Sequence, residues 1–145
     1  QLGSLDFRDG KWNGIFYEED EEKAKQQGRK QNSGNLIVDF DLPKNKNVSE
    51  IAVSCMESIN VGFILHPESI SLYDISSGSE KLISSISIPK SDVDEPDSKK
   101  LFKLSLKQKN IKRVRLKINS NRSLPKGHVA EGQPAWVFVD EIFLL

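Results

Sequence analysis

The chain has 145 residues, 37% apolar and 29% charged, which suits one domain over residues 1–145 with a core large enough to fold without disulfides. Its 21 Lys and Arg balance its 21 Asp and Glu, so no net charge recommends nucleic acid or an anionic membrane surface as a partner. No apolar run reaches the roughly eighteen residues of a membrane span, so membrane insertion is not expected either.

The opening QLGSLDFRDGKW, residues 1–12, is rich in side-chain oxygens and turn formers, with Ser4, Asp6 and Asp9 among glycines. A start at Gln1 with no signal-like apolar stretch reads as a chain either processed or, in the favoured reading, excised from something longer. Residues 18–34, EEDEEKAKQQGRKQNSG, form a charged insertion. Glu19 with Lys23 and Glu21 with Lys25 sit four apart in the order that favours a helix. Only Ala24 is apolar in the first ten residues of that stretch, so a helix there has no packing face, and a solvated loop is expected.

From Leu36 onward period-two alternation dominates. LIVDFDL sets Leu36, Val38, Phe40 and Leu42 against Asp39 and Asp41, and EIAVSCM aligns Ile51, Val53 and Cys55. Cys55, the only cysteine, reads as a small buried hydrophobe. ESISLYD aligns Ile70 and Leu72, KLISSISI aligns Leu82, Ile86 and Ile88, LFKLSL aligns Phe102, Leu104 and Leu106, and VRLKI sets Val114, Leu116 and Ile118 against Arg115 and Lys117. Turn-rich segments such as DLPKNKN, SSGSE and PKSDVDEPD separate them. Seven or eight short strands without crossover helices predict an all-β, antiparallel sandwich or barrel.

The closing AWVFVDEIFLL, residues 135–145, carries Asp140 and Glu141 inside an apolar strand. Regular alternation puts Trp136, Phe138, Asp140, Ile142 and Leu144 on one face, and Val137, Val139, Glu141, Phe143 and Leu145 on the other. Each apolar face thus holds one acid, and an ionised carboxylate leaves water only for a cation or several donors. Three partners are open: an ion pair to an arginine such as Arg113 or Arg115, solvent at a strand end, or a hard cation such as calcium. Calcium takes six to eight oxygens, so the opening loop would have to contribute some of them.

Three blocks, GSLDFRDGKWNG near the start, FILHPESISLY in the middle and IKRVRLKINSNRSLPKGHVAEGQPAWVFVDEIFLL at the end, resemble the discoidin-like domain, also called the coagulation factor type C domain. The copies appended C-terminally to bacterial chitobiases and β-hexosaminidases are the most similar in kind. The resemblance implies an eight-stranded jelly roll of the galactose-binding type, secreted, periplasmic or at the bacterial cell surface. It also implies a partnership with the catalytic domain of a parent glycoside hydrolase, and a structural calcium. On the family pattern Glu141 lends a side-chain oxygen to that metal, Asp140 its carbonyl, and Ser4 a hydroxyl. The family's Asp-Gly pair falls upstream of Gln1, which leaves the site incomplete in this stretch. The 18–34 insertion, and Phe63 where relatives often carry Trp, are further departures.

The implied function is weak binding of N-acetylglucosamine- or galactose-containing glycans by loops at one end of the sandwich. The candidates are Trp12, Phe63, Arg122 and His128. Each has a plain alternative: Trp12 and Phe63 as core plugs, Arg122 and His128 as solvated loop residues. The alternative function is a structural or protein-contact module against the catalytic domain. No catalytic residues are assigned, because neither His66 nor His128 follows a nucleophile elbow and one cysteine with two histidines offers no zinc spacing.

Overall fold

The computed structural model describes residues 12–18, 35–107 and 110–145. Among the described residues there are eight strands: β1 (Trp12–Glu18), β2 (Asn35–Asp41), β3 (Glu50–Glu57), β4 (Ser69–Asp74), β5 (Lys81–Ser87), β6 (Ser98–Ser105), β7 (Arg113–Asn119) and β8 (Phe138–Leu144). One short helix, α1 (Ile59–Gly62), interrupts the β3–β4 connection. Five strands form a sheet in the order β1-β2-β7-β4-β5, and three form a second in the order β6-β3-β8. All strand pairs are antiparallel. The fold is an all-β sandwich, as the alternation predicts.

The core lies between the sheets. Val38, Phe40, Ile70, Leu72, Val114, Leu116 and Ile118 from the larger sheet meet Ile51, Val53, Cys55, Leu104, Ile142 and Leu144 from the smaller. These are the alternate positions of each strand, because a pleated strand sends one residue in two toward the facing sheet. Between them the outward charges pair across strands. Arg115 clasps Asp39 through two bonds of 2.7 and 2.8 Å and reaches Glu80 at 2.7 Å, while Arg113 lies 3.7 Å from Asp41.

The register shifts between Trp12 and Gly14 in β1, and bulges in β8 and β5 interrupt the alternation there. In β8 the register runs from Glu141 opposite Ser54 to Val139 opposite Cys55, so Asp140 is the extra residue. A bulge of this kind reverses which parity faces inward. Val137 and Val139 therefore pack on the core, whereas Trp136 and Phe138 are about half exposed, the reverse of regular alternation. Neither acid enters the core. Asp140 sits on the bulge, and Glu141 shares the outer face with Phe138. In β5, Tyr73 faces Leu82 and Leu72 faces Ser84, leaving Ile83 as the extra residue. Leu82, expected inward, is thus exposed, and Ile83 is buried in its place.

Candidate functional site

Three connections gather at one end of the sandwich: residues 58–68 between β3 and β4, 88–97 between β5 and β6, and 120–137 between β7 and β8. The strand ends Glu18 and Asn35, between which the charged insertion runs, pair at this same end; the insertion itself lies outside the described residues. A second small core of Ile59, Leu65, Leu124 and Ala135 lies under the connections, with Phe63 and Ala130 packed against it.

Polar groups buried here are tied across connections. Glu57, at the end of β3, accepts from the backbone N–H of His66 at 2.8 Å and from the Ser91 hydroxyl at 2.7 Å. Asn121 donates its amide to the His66 carbonyl at 2.7 Å. His66 Nε2 lies 2.9 Å from Ser98 Oγ, its Nδ1 has no partner among the described residues, and its ring meets Phe102 edge-on. Burial holds the His66 imidazole below its usual pKa, against the opposing pull of Glu57. The Ser98–His66 pair has the spacing of a nucleophile and base. Glu57, however, binds the His66 backbone and not Nδ1, so among the described residues no acid orients the imidazole as a triad requires.

Phe63, Arg122 and His128 all belong to this end. Phe63 is half-buried, caps α1 in the left-handed region at φ 57°, and stands edge-on to His128 at 4.8 Å between ring centroids. That backbone is uncommon for a bulky residue and is stored strain of order 1–3 kcal/mol. Gly62 precedes it because a Cβ there would come within 3.0 Å of Ile64 and 3.3 Å of Ser58. Arg122 is half-buried and engaged with neighbouring groups. His128 is buried, not solvated: Nε2–H donates to the Ile59 carbonyl at 2.8 Å, and Nδ1 accepts from the Ala130 N–H at 2.9 Å. It braces the 120–137 connection against α1.

Trp12 is not brought to this group. It opens β1 opposite Phe40, at the other end of the sandwich. The structure does bring in Trp136, which the sequence reading assigns to no site. Its backbone N–H donates to the Phe63 carbonyl at 2.9 Å, its carbonyl accepts from the Leu65 N–H, and the residue is 47% exposed. The signal that could have found it is the acid pair itself, since adjacent carboxylates in an apolar strand fit a bulge that turns Trp136 outward.

Ser4 lies outside the described residues. The Asp140 carboxylate meets the Lys99 ammonium at 2.6 Å, so the cation beside it is a lysine and not Arg113 or Arg115. Partial burial pushes the Asp140 carboxyl upward, but hydrogen bonds from Lys99 and Ser54 outweigh this and hold it below the usual range. Among the described residues no group of three or more His, Cys, Asp or Glu is arranged to hold a metal ion. No described helix is long and apolar enough to cross a membrane. Compared with known proteins, the sequence matches no family model and no curated protein.

Proposed function

We propose that the chain is a non-catalytic carbohydrate-binding module with the jelly-roll topology of the discoidin-like domain, serving an extracellular or cell-surface chitobiase or β-hexosaminidase. One observation carries this reading: the connections at one end, cross-tied by buried hydrogen bonds, hold Phe63, Arg122 and the half-exposed Trp136 on one frame. A sugar has apolar ring faces and polar edges, which an aromatic surface and a guanidinium can meet. A single site of this kind binds at about 1 mM, roughly 4 kcal/mol, which leaves nothing for ordering mobile loops. His128 acts as a strut of the frame, and Trp136 takes its place among the ligand-facing groups.

The test is titration with N-acetylglucosamine and with galactose while backbone amide shifts are followed. Shifts should concentrate in residues 58–68 and 120–137 and vanish in Trp136→Ala. No movement up to roughly 50 mM of either sugar sinks the proposal.

A structural calcium belongs to the same reading. The bulge takes Asp140 out of the β3 ladder, and Glu141 is half-buried on the outer face. On the family pattern the Asp140 carbonyl and the Glu141 carboxylate would supply two of the oxygens such an ion needs, and Ser4, outside the described residues, a third. Calcium should then raise the melting temperature over that in chelator, and Glu141→Gln should abolish the difference.

The protein-contact reading draws on a separate observation. Met56, Leu101 and Phe138 leave the outer face of the three-stranded sheet partly apolar, each 40–47% exposed. If that face packs on a catalytic neighbour, Leu101→Glu destabilises the neighbour without changing glycan retention.

A further inference from the structure

The end of the sandwich opposite the proposed glycan site holds a cleft. Residues 42–49, from the β2–β3 connection, and the described residues 105–107 and 110–111 border a half-open cleft of about 580 Å³ at the edge of the core, within the range of small-molecule sites. Its floor is apolar: Leu106 is buried, and Leu42, Val48 and Ile111 pack against the main core. Its rim carries Lys46, Asn47, Lys107 and Asn110, all exposed. No Asp or Glu is among the described lining residues. Two ammonium groups that only donate, with two amides able to donate beside them, stand over a hydrocarbon base.

The backbone of the rim points the same way. Lys107 and Asn110 both lie in the left-handed region, at φ 56° and 69°. Asparagine enters that region readily, but lysine does so at a cost of about 1–2 kcal/mol. Glycine would take the turn without that cost, so what Lys107 adds is its side chain. The turn is fixed from below by the Leu106 N–H on the Ser49 carbonyl at 2.9 Å and the Lys107 N–H on Ser105 Oγ at 3.3 Å. Strain of this sort on non-glycine residues concentrates at ligand clamps.

We propose that this cleft binds a small organic anion, with an apolar body on the Leu42–Leu106 floor and a carboxylate or sulfonate between Lys46 and Lys107. The site is separate from the glycan end, so either can fail without the other.

The probes are 4-phenylbutyrate, its neutral amide 4-phenylbutanamide, and acetate, each titrated against the whole chain with amide shifts as readout. Phenylbutyrate should move residues 42–49, 105–107 and 110–111. It should bind about five- to tenfold more tightly than the amide, because a charge-assisted hydrogen bond exceeds a neutral one. That preference should shrink in high salt and disappear in Lys46→Gln/Lys107→Gln, whose exposed side chains leave the rest of the spectrum unchanged. Equal affinity for acid and amide, a preference that survives the double substitution, or shifts centred on residues 58–68 and 120–137 would each overturn the assignment. So would acetate binding as tightly as phenylbutyrate, which would reduce the site to a charge with no pocket.

Discussion

The bulge at Asp140 makes a sharp prediction about Phe138. Phe138 is 46% exposed on the outer face, so roughly 100 Å² of its surface is buried, at most about 2.5 kcal/mol at 25 cal/mol per Å². The area that a smaller residue retains, and the compactness of the unfolded chain, reduce the cost of Phe138→Thr to about 1–1.5 kcal/mol, with no cavity left behind. Under uninterrupted alternation Phe138 would instead lie in the core beside Ile142. Truncation would then cost about 3–5 kcal/mol, with a stranded hydroxyl besides. Val139→Thr is the mirror test, because it keeps volume and adds a hydroxyl. It should cost about 1 kcal/mol where Val139 packs on the core, and nothing measurable were the side chain in solvent. Ile142→Ala, at a residue 3% exposed, anchors the scale at about 2–5 kcal/mol. Urea unfolding with unchanged m-values reads all three. A Phe138→Thr cost above about 3 kcal/mol together with a silent Val139→Thr would refute the bulge and the outward Trp136 that depends on it.

His66 is held neutral by burial, so its folded pKa lies below its ordinary 6.5 and the unfolded chain takes up protons first. Its contribution to stability is therefore complete above that value and declines as pH falls through it; His66→Gln should flatten this part of a urea-midpoint profile between pH 7 and 5. His128→Phe removes both ring bonds, strands the Ala130 N–H and leaves the Ile59 carbonyl only the Phe63 N–H, at about 1–2 kcal/mol, and hydrogen exchange should quicken around residues 59–63 and 128–130. Asp39→Asn breaks the two-bond clasp with Arg115 at a carboxylate 7% exposed and should cost about 1–3 kcal/mol, whereas Lys99→Ala, at a solvent-screened ammonium, should cost clearly less in the same urea assay. Burial, and secondarily the Asp140 charge, push the Cys55 thiol up to about 12, so a thiol reagent should label it only after unfolding.

Alternation carried most of the fold because β2, β3, β4, β6 and β7 are regular, and their inward residues are those the sequence aligns. It fails at β5 and the first half of β8, where one extra residue shifts the parity; the adjacent acids mark it in β8, and no local composition marks it in β5. The ion pairs were hidden for a different reason. Arg115 meets Asp39 only because β7 inserts between β2 and β4, and that order is set by packing and not by neighbouring residues. Site residues followed the same division. Phe63, Arg122 and His128 share an end because their strands run antiparallel. Trp12 is at the other end because β1 runs antiparallel to β2, and its first residue faces Phe40 near the far end of that strand. That His128 is buried could not be read from PKGHVAEG, whose Gly and Lys suggest solvent; the small core beneath it comes from Ile59 and Leu65, some sixty residues earlier.

The polar residues buried at the loop end explain why these connections hold a shape although they carry little regular structure. Glu57, His66, Asn121 and His128 would each destabilise the fold if buried without partners. Each instead bonds to a connection other than its own or to the strand feeding one: Glu57 to residues 66 and 91, His66 to 98, Asn121 to 66, and His128 to 59. Opening any one connection therefore breaks bonds in another, which couples their motions and raises the cost of local unfolding for all three. A frame coupled in this way can carry the strained Phe63 and keep Trp136 half in solvent without collapse onto the small core. A prearranged surface lowers the ordering cost that the weak recognition proposed above would otherwise have to meet.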